Sequence, residues 1–380
     1  LDRATRDGRL RMALAMIGDR SGSIMKHATG STGDEKTSPV TEDSIFAIAS
    51  MTKLVTTIAV LQLVESGQVK LDAQIDEYLP ELAEIRILAK FDADGEAVFE
   101  NAPQKPTVRE LITHTSGFVY DLWNANASEA QAKGITAGLA SGGNFLNAPL
   151  AFAPGSRWEY GIGIDWLGVL VEKISGKRLM PYFTEYILAP LEMTDTFYEF
   201  DLSKLDRAVT MMARGDGGLV ISPTMQPTPM AQASMPSYSG GGGLYSTLRD
   251  YGRLLQTLLN GGELNGTRVL TQTTVDSMFT NQIGNLMVTS ATTQMPTLSN
   301  DMDMTLGEPA KWGLGILIHP EGVNNGRGAG SGSWAGLFNS YFWIDRERGI
   351  FAIFATQILP FFDTEAVATL KAFEAAVYAH

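Results

Sequence analysis

The chain has 380 residues, 44% of them apolar and 19% charged, which is enough to bury a substantial core in one large or two modest domains. A net charge of −13 without a Lys/Arg cluster excludes nucleic acid as an expected partner, because neutralising phosphates needs a basic patch. The absence of cysteine excludes disulfides and thiolate chemistry, and the four histidines, His27, His114, His319 and His380, show no metal-ligand spacing, so neither metal nor cofactor is expected.

No apolar run reaches the length of a membrane span, and Leu1-Asp2-Arg3 does not open a signal peptide. A cytoplasmic location is expected, or a periplasmic or secreted one if a leader was removed before Leu1. Monomer and homodimer both remain open.

Arg11 to Gly18 and Ser23 to Gly30 read as strands joined by a tight turn at Asp19-Arg20-Ser21-Gly22, an antiparallel hairpin. From Met51 an apolar run continues through Leu54, Val55, Ile58 and Leu61 to Glu65-Ser66-Gly67, long enough for a helix closed by glycine. Between Lys70 and Phe200 the texture is helical. Thr107-Val-Arg-Glu110 forms a capping-box sequence, and Ile164 to Ile174 is a clear helix ended by Gly176. After about Leu202 come turns and loops, the run Gly240 to Gly243, a helix from Leu248 to Leu259, and a poorly patterned stretch from Asn281 to Pro309 of a length that suits a cover over a site. Trp312 to His319, Ala329 to Trp334, Leu337 to Ile344 and Ile350 to Gln357 read as consecutive strands, and Thr364 to Tyr378 as a final helix.

Strands at both ends with helices between them predict an α/β (α+β) fold. One antiparallel sheet is built from both termini with flanking helices, and a mainly helical domain is inserted. The expected division is 1–72 with 203–380 for the sheet domain and 73–202 for the helical one, with a site at their junction.

Ser50-Met-Thr-Lys53 stands at the start of the apolar helix, and on a helix the two side chains share a face. The helix amino terminus favours negative charge near Ser50, and burial disfavours the ammonium form of Lys53, so the pair suits a nucleophile and its base. Taken alone, the same four residues also fit a helix cap followed by a surface lysine. Lys53 is, however, the only charge between Asp43 and Glu65, and a charge alone in an apolar run needs a partner or a job. Such a site also needs a proton shuttle and an oxyanion hole. Tyr160 follows a Pro-Gly turn just before the Trp166 helix, and Ser331-Gly-Ser-Trp334-Ala-Gly336-Leu337 offers a strand of small residues where a ligand can approach the backbone. A tyrosine covering a core edge and a glycine-bent strand are the competing readings.

Together, Ser50-Met-Thr-Lys53, Tyr160-Gly-Ile162 and Trp334-Ala-Gly336 resemble the serine β-lactamase and penicillin-binding-protein superfamily, and most of all its family VIII carboxylesterases. Leu111-Ile-Thr-His-Thr-Ser-Gly117 and Gly240-Gly-Gly-Gly-Leu-Tyr-Ser246 add to the likeness. The resemblance implies that Ser50 is acylated, that Lys53 is its base or proton relay, and that Tyr160 moves a proton to the leaving group. It also implies an oxyanion hole made by the backbone N–H groups of Ser50 and Leu337.

Class C β-lactamases carry Tyr-x-Asn and Lys-Thr-Gly where this chain has Tyr160-Gly-Ile162 and Trp334-Ala-Gly336. The loss of an amide-reading asparagine and of a carboxylate-holding cation predicts a pocket for small, apolar, short-chain esters, with Ile162, Trp334, Ala335 and Gly336 on its wall and slow β-lactam opening as a side activity. Tyr120 is expected either to line the acyl pocket or only to pack. The competing functions are a β-lactamase or D-Ala-D-Ala peptidase, and a non-catalytic binding protein of the same fold. An α/β-hydrolase is disfavoured because no Gly-x-Ser-x-Gly occurs, and His114 reads as structural.

Overall fold

The computed structural model describes residues 1–33, 38–139, 144–227 and 238–379. In chain order the elements that build the scaffold are helix α1 (Asp2–Arg6), strands β1 (Met12–Asp19) and β2 (Gly22–Gly30), and helix α2 (Thr52–Glu65). A hairpin of β3 (Arg86–Phe91) and β4 (Ala97–Asn101) follows, then helices α3 (Gly163–Ser175) and α4 (Leu248–Leu259). The chain ends in strands β5 (Lys311–Trp312), β6 (Leu317–His319), β7 (Ser331–Gly336), β8 (Ser340–Asp345) and β9 (Ile350–Ala355), and helix α5 (Thr364–Tyr378).

Seven strands form one antiparallel sheet in the order β5-β6-β7-β8-β9-β1-β2. β1 lies between its hairpin partner and β9, with Leu14 opposite both Ala28 and Ala355, so the two chain ends share a sheet as expected. Successive side chains of a strand point to opposite faces, and here both faces are covered. Phe342 meets Tyr251 of α4 with ring centroids 5.5 Å apart, and its neighbour Trp343 meets Phe373 of α5 at 5.7 Å. This layering explains why the strands nearest the centre read as continuous apolar runs rather than alternating ones.

α2 is apolar on nearly every side, and its residues from Thr52 to Leu61 are all buried. It packs against α3, which ends at Gly176 in the left-handed conformation its φ of +69° requires. The capping box at Thr107 forms, with Glu110 Oε2 accepting from Thr107 N at 2.7 Å and Thr107 Oγ1 accepting from Glu110 N at 3.1 Å. No helix among the described residues is long and apolar enough to cross a membrane.

Several boundaries differ from expectation. Trp312 to His319 is two short strands, because Gly313 and Gly315 lie where a β-carbon would meet Met278 O at 1.8 Å and Thr57 Oγ1 at 2.4 Å, and Gly315 has φ +79°. The strand expected from Leu337 begins at Ser340, after a turn in which Asn339 takes φ +59°, and the one expected from Ala329 runs from Ser331 to Gly336. The helical stretch from Lys70 to Phe200 contains the β3–β4 hairpin. The region after Leu202, read as loops, includes a hairpin, Met212–Gly215 with Gly218–Ile221, that pairs with Ile358–Leu359. Part of that region, 228–237, lies outside the described residues.

Candidate active site

Ser50 sits on a single 3-10 turn, Ala49–Met51, that runs directly into α2, rather than on the long helix itself. Ala49 holds φ +43°, a conformation that costs a residue with a β-carbon free energy and so marks a constrained turn. The turn is pressed between two backbones. Ile48 N donates to Leu244 O at 2.9 Å, and the missing β-carbon of Gly336 at the end of β7 lets that strand approach the Ile48 carbonyl. Leu337, next after β7, thereby joins Ser50 on the wall of one cavity.

Lys53, one turn further along, is only 1% exposed. Its Nζ donates to the Gly241 carbonyl at 2.7 Å and to the Tyr120 hydroxyl at 2.9 Å, and lies 3.3 Å from Ser50 Oγ. Tyr120 in turn donates to Asp165 Oδ2 at 2.9 Å. Burial, with the Asp165 charge second, pushes the Tyr120 hydroxyl well above the usual tyrosine range, so it stays protonated. Asp165, from the first turn of α3, also accepts from Ser239 Oγ at 2.6 Å and Gly241 N at 3.0 Å. A buried lysine and a buried aspartate are thus linked through one tyrosine hydroxyl and one glycine peptide.

Tyr160 stands beside this chain without being part of it. Its ring centroid is 4.9 Å from Lys53 Nζ and 5.2 Å from the Tyr120 ring, and its hydroxyl accepts from Trp334 Nε1 at 3.4 Å. Trp334 is buried between Tyr160 and Trp312, with ring centroids 4.9 and 4.6 Å away. Ile162 is buried at the head of α3. His114 packs against the Tyr160 ring at 4.7 Å, and its Nδ1 accepts from Gly161 N at 3.3 Å. Burial first and the neighbouring Lys53 second hold it well below the usual histidine value, and therefore neutral.

A cavity of about 630 Å³ opens beside Ser50. Its wall is mostly apolar, with Leu122, Trp123, Phe145, Leu244, Tyr245, Leu337 and Phe338, and it carries Tyr120, Asp165 and Gln226 but, among the described residues, no Lys or Arg. A second cavity, of about 520 Å³, is lined by Trp123 and Tyr160 together with Arg157, Leu286 and Thr289. The stretch 281–309 walls this second space and is pinned there by Gln294 N to Leu122 O at 2.8 Å and Trp123 Nε1 to Ser299 Oγ at 3.1 Å. Of the expected site residues, Ser50, Lys53, Tyr120, Tyr160 and Leu337 come together. Ile162, Trp334, Ala335 and Gly336 support the site from behind: they are buried and are not on the described wall of the Ser50 cavity.

The sequence does not single out Asp165 or Ser239, and it brings Gly241 forward only as part of the glycine run from Gly240 to Gly243. Asp165 carries a signal that could have found it, since it is a lone acidic residue in the first turn of a helix that then stays uncharged from Trp166 to Val171. Gly241 is fixed by Asp165, whose Oδ2 would be 2.1 Å from any β-carbon there.

Comparison with known proteins identifies the family. A sequence profile of the beta-lactamase family matches residues 2–376. A lovastatin esterase from Penicillium rubens is 29% identical over 96% of this chain and 93% of its own length. Monacolin J acid methylbutanoyltransferase from Aspergillus terreus is 31% identical over 90% of this chain and 83% of its own. The unliganded structure of simvastatin synthase (LovD) from Aspergillus terreus superposes with a TM-score of 0.83 at 30% identity, covering 100% of this chain and 96% of that one. The chain therefore belongs to the beta-lactamase family and is a serine hydrolase, similar to proteins that include an esterase and an acyltransferase.

Proposed function

We propose that the protein is a carboxylesterase that hydrolyses small, apolar, short-chain esters through an acyl-enzyme on Ser50. The observation that carries this reading is Lys53 Nζ, buried and within reach of Ser50 Oγ while held by two other groups. In the proposed sequence Lys53, in its neutral form, takes the Ser50 proton as Oγ bonds to the ester carbon. The N–H groups of Ser50 and Leu337 receive the developing oxyanion, and the C–O bond to the alcohol breaks. The two nearby tyrosines suit different tasks. Tyr120 has committed its proton to Asp165, whereas the Tyr160 hydroxyl accepts from Trp334 and its own proton has no acceptor among the described residues. Tyr160 is therefore assigned the proton transfer to the departing alcohol, and Lys53 replenishes it. Water then repeats the sequence on the acyl-enzyme.

The wall of the cavity supports this substrate class, being mostly apolar and, among the described residues, without a cation to hold a carboxylate. In this reading the site lies at the junction of a sheet domain, 1–72 with 203–380, and a mainly helical domain, 73–202. Two polar contacts made by relatives that open β-lactams are absent here, each worth on the order of 1–3 kcal/mol, so lactams are handled roughly 10²–10⁴-fold less well. The test compares kcat/KM for p-nitrophenyl butyrate with that for a chromogenic cephalosporin on one preparation. Ester turnover far ahead is expected, and equal or faster cephalosporin turnover overturns the esterase reading in favour of a β-lactamase.

A second reading, acyl transfer to an alcohol in place of water, is favoured by the separate cavity behind Trp123 and Tyr160 and by the transferase among the relatives. Adding a primary alcohol to the ester assay and finding a new ester product would establish it.

A further inference from the structure

The three neighbours of Lys53 Nζ can each be given a direction. The Gly241 carbonyl at 2.7 Å can only accept. The Tyr120 hydroxyl at 2.9 Å has one proton, and that proton goes to Asp165, which leaves only lone pairs for Lys53. Ser50 Oγ, at 3.3 Å, is the neighbour with a proton to give. A neutral amine has two N–H bonds and one lone pair in tetrahedral array. With both N–H bonds drawn to Gly241 and Tyr120, the lone pair is left for Ser50.

This polarity depends on Asp165. A phenol is far more acidic than a serine hydroxyl, so without an acceptor of its own the Tyr120 proton would turn toward the amine and occupy the lone pair that Ser50 needs. Asp165 is held rigidly: it is 2% exposed, and its Oδ1 accepts from Ser239 Oγ and from Gly241 N. The Gly241 residue gives its N–H to Asp165 and its carbonyl to Lys53, so the carboxylate fixes both of the acceptors that flank the amine.

We propose that Asp165 is a positioning residue: by taking the Tyr120 proton and the Gly241 N–H, it makes both flanking groups acceptors and so aims the Lys53 lone pair at Ser50. The proposal rests on the reading of Ser50 as nucleophile and Lys53 as base. It distinguishes Asp165 from a residue that only stiffens the fold, because its effect should vanish once Tyr120 has no hydroxyl.

The test is a double-mutant cycle on the full chain with p-nitrophenyl butyrate, measuring kcat and KM for wild type, Asp165→Asn, Tyr120→Phe and the double variant. Asparagine keeps an oxygen for Gly241 and Ser239 but presents an NH₂ to Tyr120, which reverses that hydrogen bond. Asp165→Asn should lower kcat by about 10²-fold, in the range of lost acid–base assistance, with KM changed by less than about threefold. In the Tyr120→Phe background it should cost less than about threefold more, since residues acting through one another are not additive. Multiplying losses in the double variant, or an Asp165→Asn enzyme within about threefold of wild type, would overturn the proposal. Should Asp165→Asn not fold, Tyr120→Phe alone decides, because near-wild-type kcat there would overturn it equally. Fluorophosphonate labelling of the wild type is run in parallel: a label away from Ser50 removes the nucleophile assignment, whereas a Ser50 label with multiplying losses removes only the role of Asp165.

Discussion

The β-carbon that Gly336 lacks would stand 2.4 Å from the carbonyl oxygen of Ile48, so the end of β7 and the turn carrying Ser50 meet backbone to backbone. The same close approach brings Leu337 to the Ser50 cavity. Gly336→Ala must push the two apart and with them the proposed oxyanion donors. Loss of one such donor costs about 10²–10³-fold in kcat, and a loss of that order is expected here with KM little changed. Wild-type kcat in a folded Gly336→Ala protein would separate Leu337 from the chemistry.

The separate tasks assigned to the two tyrosines predict different responses to the leaving group. Lys53→Ala should lose about 10²–10⁴-fold on any ester. Tyr160→Phe should lose by a similar factor on ethyl butyrate, whose ethoxide needs a proton, and much less on p-nitrophenyl butyrate, whose phenolate leaves unaided. Tyr120→Phe should lose about equally on both. The ratio of the two rates for each variant is the measurement, and a Tyr160→Phe enzyme with an unchanged ratio would assign the proton transfer elsewhere.

The cavity predicts a chain-length limit that one side chain can move. Ala47 lies on the wall beside Ser50, with its peptide held by Gln357 at 3.0 Å on both sides. Ala47→Leu should lower kcat/KM for hexanoyl esters roughly tenfold, about what misfitting a methylene or two costs, and spare acetyl esters. A uniform loss across chain lengths would show that the acyl group lies elsewhere.

Stability should depend on two buried histidines. Burial, with Arg327 second, pushes His319 down to about 4, and His114 is held well below its usual value. A histidine kept neutral in the fold contributes nothing adverse above about 6.5 but costs stability as pH falls from there toward its folded value, because the unfolded chain then binds the extra proton. For His319 the loss by pH 4 is on the order of 3 kcal/mol. The melting temperature should therefore fall between pH 6.5 and 4, and His319→Gln, which can still donate to Thr305 O, should flatten that fall. A parallel decline in both proteins would place the acid sensitivity in other groups.

Much of the fold was readable because the signals were local. α4 and α5 begin and end where their sequences predict, and the structure adds side-chain caps at Thr247 and Asp363. The breaks were not readable, because Gly313 and Gly315 interrupt a strand through contacts with Met278 and Thr57, far away in the chain. The site divides the same way. Ser50 and Lys53 are three residues apart, and Tyr160 lies just ahead of a helix, so sequence alone brought them forward. The hydrogen bonds that orient Lys53 come from Tyr120 and Gly241, which are 67 and 188 residues away, and such partners acquire meaning only once the chain has folded. Trp334 shows the limit from the other side: its position in the motif suggests a ligand contact, while the structure adds that its ring packs in an aromatic cluster with Tyr160 and Trp312.

In the proposed mechanism Ser50 is the residue that becomes acylated. Incubating the protein with a fluorophosphonate and mapping the modified peptide by mass spectrometry tests it without any substrate assumption. Stoichiometric labelling of Ser50, with loss of esterase activity in step and no labelling of Ser50→Ala, is the predicted result. A label on Ser331 or Ser333, or esterase activity that survives in Ser50→Ala, would contradict it.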